Sequence, residues 1–120
     1  QLMMCQSEEF GHHEGLGWIE GHVRRIDVVG DCLRVPHVGW NDIEHVGSSI
    51  LWDGVSKDDL FYYVHSYCIE AEASVVIGEC TYGTRFVAAF QSGNIYGTQF
   101  HPEKSQFAGL TLMRNFIEQS

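Results

Sequence analysis

The sequence predicts one compact α/β unit, on three observations. Runs rich in aromatic and β-branched residues recur between residues 59 and 100, which is a strand signature. Residues 105–118 carry an apolar stripe near the helical period. No internal repeat, low-complexity stretch or linker divides the 120 residues, a length that suits one domain or a piece of one.

Taken in order, Gln1-Leu2-Met3-Met4-Cys5 has no polar lead-in, and residues 1–6 read as the tail of a helix, with Ser7-Glu8-Glu9 as its end or a turn. Residues 10–17 hold three glycines and a His-His-Glu cluster, so they read as loop. Residues 18–26 alternate polar and apolar side chains as a strand does, and a turn follows at Gly30. Residues 35–41 place Pro, Gly and Asn around large side chains, as in a shaped loop or short strand. Residues 59–70, DLFYYVHSYCIE, read as one central strand, and Val75 to Thr81 as another, with a turn at Tyr82-Gly83. Arg85 to Phe90 and Ile95 to Phe100, joined by Gln91-Ser92-Gly93-Asn94, read as a hairpin. The closing helix takes Ser105 as a possible N-cap, with Phe107, Leu110, Met113 and Ile117, beside Leu112 and Phe116, as its apolar stripe.

Composition removes some partners. Hydrophobic residues make up 44% of the chain, enough for a packed core. The formal net charge is −9, from 7 Lys+Arg against 16 Asp+Glu. An acidic surface repels nucleic acid and anionic membranes, so neither is expected as a partner. No apolar run approaches the length of a membrane span, and no signal peptide is visible. The cysteines at 5, 32, 68 and 80 form no CxxC pair and match no zinc-site spacing. Cys68 and Cys80 lie in apolar, strand-like surroundings, as buried free thiols in a reducing cytoplasm do; spacing alone leaves a disulfide open.

Gln99-Phe100-His101-Pro102-Glu103-Lys104 is the most informative stretch. On an extended segment His101 and Glu103 would point to the same side, and Pro102 would stiffen the bracket between them. A carboxylate beside a histidine fixes its tautomer and stabilises its protonated form, which suits a general base for a cysteine or serine nucleophile. On spacing alone, a strand end with a surface His and Glu is the plainer reading. His65-Ser66-Tyr67 closes an apolar run, where open α/β sheets bind ligands, although a Ser and Tyr closing a strand by hydrogen bonds is as good an account. Gln1 and Glu9 flank the predicted helix tail and carry no signal by themselves. Trp40 sits in a loop as a partner anchor or a core filler. The adjacent His12 and His13 point in different directions in most conformations, so a solvated loop is preferred to a metal site. His22, His37 and His45 have no convincing partner in sequence.

Together, Gln1-Leu2, Ser7-Glu8-Glu9, Gly15-Leu16-Gly17, PHVGWN at 36–41, FYYVHSY at 61–67, NIYGTQFHPEKSQ at 94–106 and Gly109-Leu110 to Asn115-Phe116 resemble the class I (triad) glutamine amidotransferases. FHPE is typical of that class. PHVGWN, FYYVHSY and Lys104-Ser105 narrow the resemblance to the glutaminase subunits of imidazole glycerol phosphate synthase. The resemblance implies a three-layer α/β fold around a mostly parallel central sheet, with no cofactor and no metal. It implies hydrolysis of L-glutamine to glutamate and ammonia by a Cys-His-Glu triad. His101 would deprotonate the thiol and protonate the departing ammonia, and Glu103 would orient His101. Gln1 and Glu9 would help hold glutamine, and Ser66 and Tyr67 would contact its amino-acid end. Trp40, Tyr62 and Lys104 would meet a cyclase partner, a (β/α)8 barrel that receives the ammonia.

The family's nucleophile elbow reads Gly-x-Cys-x-Gly-x-Gln, and Gln1 matches its last residue. The resemblance therefore places the nucleophile four positions before Gln1, and a further ~80 residues upstream, about what separates this length from a typical domain size. Residues 1–120 are accordingly expected to be the C-terminal part of a single glutamine amidotransferase domain, with the N-terminal part absent from this chain and no activity from it alone. Cys5 would lie about one helical turn past Gln1, away from the elbow. Two alternatives stay open: a paralogous glutaminase serving amidation of a surface polysaccharide sugar, and an inactive module kept for its partner surface.

Overall fold

The computed structural model describes residues 1–9, 11–26 and 35–119; the turn expected at Gly30, and Cys32, fall outside them. Among the described residues, ten strands and one α-helix follow in the order β1 (Met4–Ser7), β2 (His13–Glu14), β3 (Ile19–Arg25), β4 (His37–Asp42), β5 (Glu44–His45), β6 (Leu60–His65), β7 (Tyr67–Ala71), β8 (Val76–Tyr82), β9 (Thr84–Ser92), β10 (Ile95–Thr98) and α1 (Gln106–Gln119). The main sheet has the order β2-β1-β3-β7-β9-β8-β5, with β10 also pairing β9; β4 and β6 form a separate two-stranded sheet. The parallel character that the resemblance implies appears in one described ladder, β1 with β3. The other described ladders are antiparallel, so the sheet is mixed. Tight turns such as Gly83 and Gly93 join antiparallel neighbours, whereas a parallel pair needs a crossover of about a dozen residues.

The expected helix tail at residues 1–6 is instead a turn at Leu2-Met3 that leads into β1. Its Met4 is fully buried against Ile19, Val23, Ile69, Val87 and Phe90. Backbone pairing with β3 and burial of that side chain outweigh a helix preference of a few tenths of a kcal/mol per residue. The loop expected at 10–17 includes β2, paired to β1 through Gln6↔Glu14 and Ser7↔His13. The single strand expected over 59–70 is two: β6 pairs β4, and β7 pairs β3 and β9, with the break at Ser66. The strand at 18–26, the strand over 75–81 and the hairpin at 85–100 fall where the pattern places them.

The larger core joins Phe61 and Tyr63 of β6, Ile77 and Cys80 of β8, Phe86 and Ala88 of β9, Leu51, Trp52, Phe100 and Leu112. Helix α1 lies where expected but turns Gly109, Leu112 and Asn115 inward. The stripe of Phe107, Leu110, Met113 and Ile117 is exposed instead. Two contacts set that face. A Cβ on Gly109 would lie 1.9 Å from the carbonyl oxygen of Pro102, so only glycine allows this approach. The Asn115 side-chain amide donates to the carbonyls of Leu51 (2.9 Å) and Asp53 (2.7 Å), satisfying groups that burial would otherwise strand.

Candidate active site

His101 leaves β10 in extended conformation, and its N–H donates to the Tyr62 carbonyl at 2.9 Å, bridging it to β6. Pro102 then opens a 3-10 turn over Pro102–Lys104. The turn is closed by Lys104 N–H on the His101 carbonyl (3.1 Å) and Ser105 N–H on that of Pro102 (3.0 Å). It carries the Glu103 carboxylate back to 2.7 Å from His101 Nδ1. The expected pairing is present, but a turn makes it; the segment is not a strand beyond His101. Ser105, expected as N-cap, spends its hydroxyl elsewhere: it accepts from Tyr62 N–H (3.0 Å) and donates to the His101 carbonyl (2.6 Å). Gln106 takes a left-handed φ of 53°, the bend that separates this turn from α1.

With Nδ1–H donated to Glu103, the basic lone pair of a neutral His101 sits on Nε2. A hydrogen bond from its own backbone N–H, then one from His101, holds the Glu103 carboxyl below the usual range, so it is ionised at neutral pH. The two side chains are 37% and 54% exposed, a setting in which an ion pair adds little stability and serves orientation.

Gln1, Glu9, Ser66 and Tyr67 line one polar pocket of about 230 Å³, together with Val64, His65 and Gln99. Gln1 Nε2 donates to the Tyr67 carbonyl (2.7 Å) and to Gln99 Oε1 (2.8 Å). Gln99 is thus a pocket residue that sequence reasoning did not single out; its place two residues before His101 was the available signal. His65, also on this wall, is buried, and its Nε2 lies 3.0 Å from His37 Nδ1 in a hydrogen bond, so His37 has the partner that sequence did not reveal. Burial, then the neighbouring His65, lowers the His37 pKa to about 4, and burial lowers that of His65 as well. His22 pairs with Glu70 at 2.8 Å, and His45 stacks on Trp52 at 4.3 Å.

The outward face of β4 and β6 sets Val38 opposite Val64 and Trp40 opposite Tyr62. The Trp40 and Tyr62 rings meet edge to face at 5.6 Å. Val38, Trp40, Leu60 and Val64 are all exposed there, and Phe107 lines a further hollow beside Trp40. Lys104 is exposed on the turn beside Glu103.

No described thiol is hydrogen-bonded to His101. Cys5 Sγ points to the Ile19 carbonyl at 3.6 Å. Cys68 and Cys80 are free and buried, and burial pushes both thiols up, Cys80 to about 11, which leaves them protonated and unreactive. Among the described residues no group of three or more His, Cys, Asp or Glu side chains forms a metal cluster. No described helix is long and apolar enough to cross a membrane.

A family model described as glutamine amidotransferase class-I matches residues 7–119. The chain belongs to the class-I glutamine amidotransferases. Relatives include the imidazole glycerol phosphate synthase subunit HisH of Syntrophotalea carbinolica, 45% identical over 97% of this chain and 59% of that protein. The HisH subunit of Herpetosiphon aurantiacus is 46% identical over 98% of this chain and 55% of its own length. The chain thus spans little more than half the length of these curated relatives. The crystal structure of a putative GMP synthase subunit from Thermoplasma acidophilum superposes with a TM-score of 0.62 at 22% identity, over 81% of this chain and 47% of that one, and shares the amidotransferase fold.

Proposed function

We propose that these residues are the C-terminal part of a single amidotransferase domain, the glutaminase subunit of an imidazole glycerol phosphate synthase. One observation carries the reading: Gln1, Glu9, Ser66 and Tyr67, scattered over the sequence, line one pocket whose Gln99 lies two residues from the His101–Glu103 pair. The polar wall and the Glu9 carboxylate suit an amino acid with its charged ammonium group. The nucleophile is a cysteine four positions before Gln1. His101 Nε2 takes the thiol proton as sulfur attacks the side-chain amide carbon of glutamine, and returns it to the nitrogen that leaves as ammonia. Water then releases glutamate by the same base. Glu103 keeps the ring oriented and stabilises the imidazolium formed in each step.

Ammonia passes to a cyclase with a (β/α)8 barrel, docked on the exposed Val38, Trp40, Leu60 and Val64 face beside Tyr62 and Lys104. Delivery through a closed interface keeps ammonia from being protonated in water, and the product is imidazole glycerol phosphate in histidine biosynthesis. The free thiols agree with a cytoplasmic protein. The exposed stripe of α1 is the surface on which the rest of the domain packs.

Glutamate release by the full-length protein with its cyclase tests this. His101→Ala should lower kcat on the order of 10²–10⁴-fold, the usual share of a general base. Release that is unaffected by that substitution, or a residue other than cysteine four positions before Gln1, would refute it.

A further inference from the structure

We propose that His37 and His65 are positioning residues of the glutamine pocket, joined in a one-way hydrogen-bond chain that fixes the Tyr67 carbonyl. The proposal rests on the glutaminase reading of that pocket.

The direction of the chain follows from its two ends. A carbonyl oxygen only accepts, so the contact of 2.9 Å between His65 Nδ1 and the Tyr67 carbonyl requires a proton on Nδ1. A neutral His65 then presents Nε2 as an acceptor, and His37 Nδ1, 3.0 Å away, must be the donor. His37 Nε2 is left to accept from Asn41 Nδ2 at 3.5 Å. The Asn41 amide is itself oriented, because its Oδ1 accepts from Asp42 N–H at 2.9 Å. Every donor therefore points the same way, from the outer end of β4 to the pocket wall. There the Tyr67 carbonyl also receives Gln1 Nε2–H at 2.7 Å.

The surroundings favour this proton arrangement. The His37 ring is stacked on Tyr82 of β8 (centroids 3.9 Å apart) and Tyr63 of β6 (4.9 Å), and Phe86 of β9 closes over His65 at 4.9 Å. Tyr63 and Tyr82 are the titratable groups stacked on the pair, and the charge of His101 bears on His65. Burial disfavours the imidazolium on both rings. Protonating His65 would make both its nitrogens donors. His37 would have to switch tautomer, and its Nε2–H would then face the Asn41 N–H. The chain has one low-energy arrangement, and that arrangement holds the Tyr67 carbonyl still.

His37→Phe keeps the aromatic stack and removes the donor to His65. In the full-length protein with its cyclase, the KM for glutamine should rise about tenfold, the worth of one lost hydrogen bond, with kcat changed less than about threefold. A role confined to folding would lower the melting temperature and leave KM alone. Nitrogen-15 NMR of the unsubstituted protein should show both imidazoles neutral at neutral pH with the proton on Nδ1, and this measurement stands even if the variant fails to fold. An Nε2–H tautomer on either ring would overturn the chain. Glutamate release with an unchanged KM in His37→Phe would overturn the positioning role alone. No glutamate release by the unsubstituted protein would overturn the glutaminase reading and this role with it.

Discussion

Replacing Ser105 by alanine should loosen His101, the base proposed above, without touching its imidazole. The Ser105 side chain is 1% exposed, and its hydroxyl makes two bonds. It accepts from the Tyr62 N–H at 3.0 Å and donates to the His101 carbonyl at 2.6 Å. Removing it takes away the acceptor of the Tyr62 N–H, whereas the His101 carbonyl keeps the Lys104 N–H at 3.1 Å. The dominant cost is therefore one unsatisfied, partly buried donor, about 1–3 kcal/mol. Spread over a domain the size of the curated relatives, about 2 kcal/mol lowers the melting temperature by roughly 4–8 °C. Tyr62 and Ser105 flank the bridge that holds His101, so kcat should fall several-fold while the KM for glutamine stays within twofold of wild type. Calorimetric melts and glutamate release on the same preparation measure both quantities. A variant that melts within a degree of wild type with unchanged kcat would refute the claim that this hydroxyl holds His101 in place.

Three further expectations rest on particular contacts. Gly109→Ala puts a methyl 1.9 Å from the Pro102 carbonyl oxygen; pushing the turn away should cost about 1–3 kcal/mol and reduce kcat, and a crystal structure with the turn unmoved would contradict this. Trp40→Ala removes a 45% exposed ring at the centre of the β4–β6 face. It should weaken binding of the proposed cyclase partner roughly thirtyfold in titration calorimetry and leave the melting temperature of the free protein unchanged. Acid should destabilise the fold through His37, whose pKa is depressed from 6.5 to about 4. Above 6.5 the group is neutral folded or unfolded and costs nothing; below it the unfolded chain takes a proton that the folded chain refuses. Stability should decline from 6.5 down to about 4 and more shallowly in His37→Phe, as urea midpoints across that window would record; equal slopes would argue against a buried neutral His37.

Local patterns made much of this protein legible. Alternation in residues 18–26 and 75–81 marks strands because a pleated backbone puts successive side chains on opposite faces. QSGN between two such runs marks a hairpin. Gln1, Glu9, Ser66, Tyr67, His101 and Glu103 could be named through the family resemblance that their segments carry together; spacing alone gave Gln1 and Glu9 no signal. Which atoms they meet could not be read there. The closing helix was plain from its period, yet its buried face was not, since the deciding contacts are Gly109 against the Pro102 carbonyl and Asn115 against Leu51 and Asp53, far away in sequence.

By itself, then, the sequence determined the strands with a clear period, the hairpin, the helix and the family, and through the resemblance it nominated the residues of the candidate site. Tertiary structure alone decided that residues 4–7 are a strand, because their backbone groups and Met4 find partners in β3 and the core beneath it. It decided that Ser66 divides β6 from β7, since the two halves of one apolar run pair in different sheets. It brought His37 across from His65 through the β4–β6 register, and folded Glu103 onto His101 by a turn. The common reason is that hydrogen bonds and burial are settled between segments distant in sequence, and no local period records the partner.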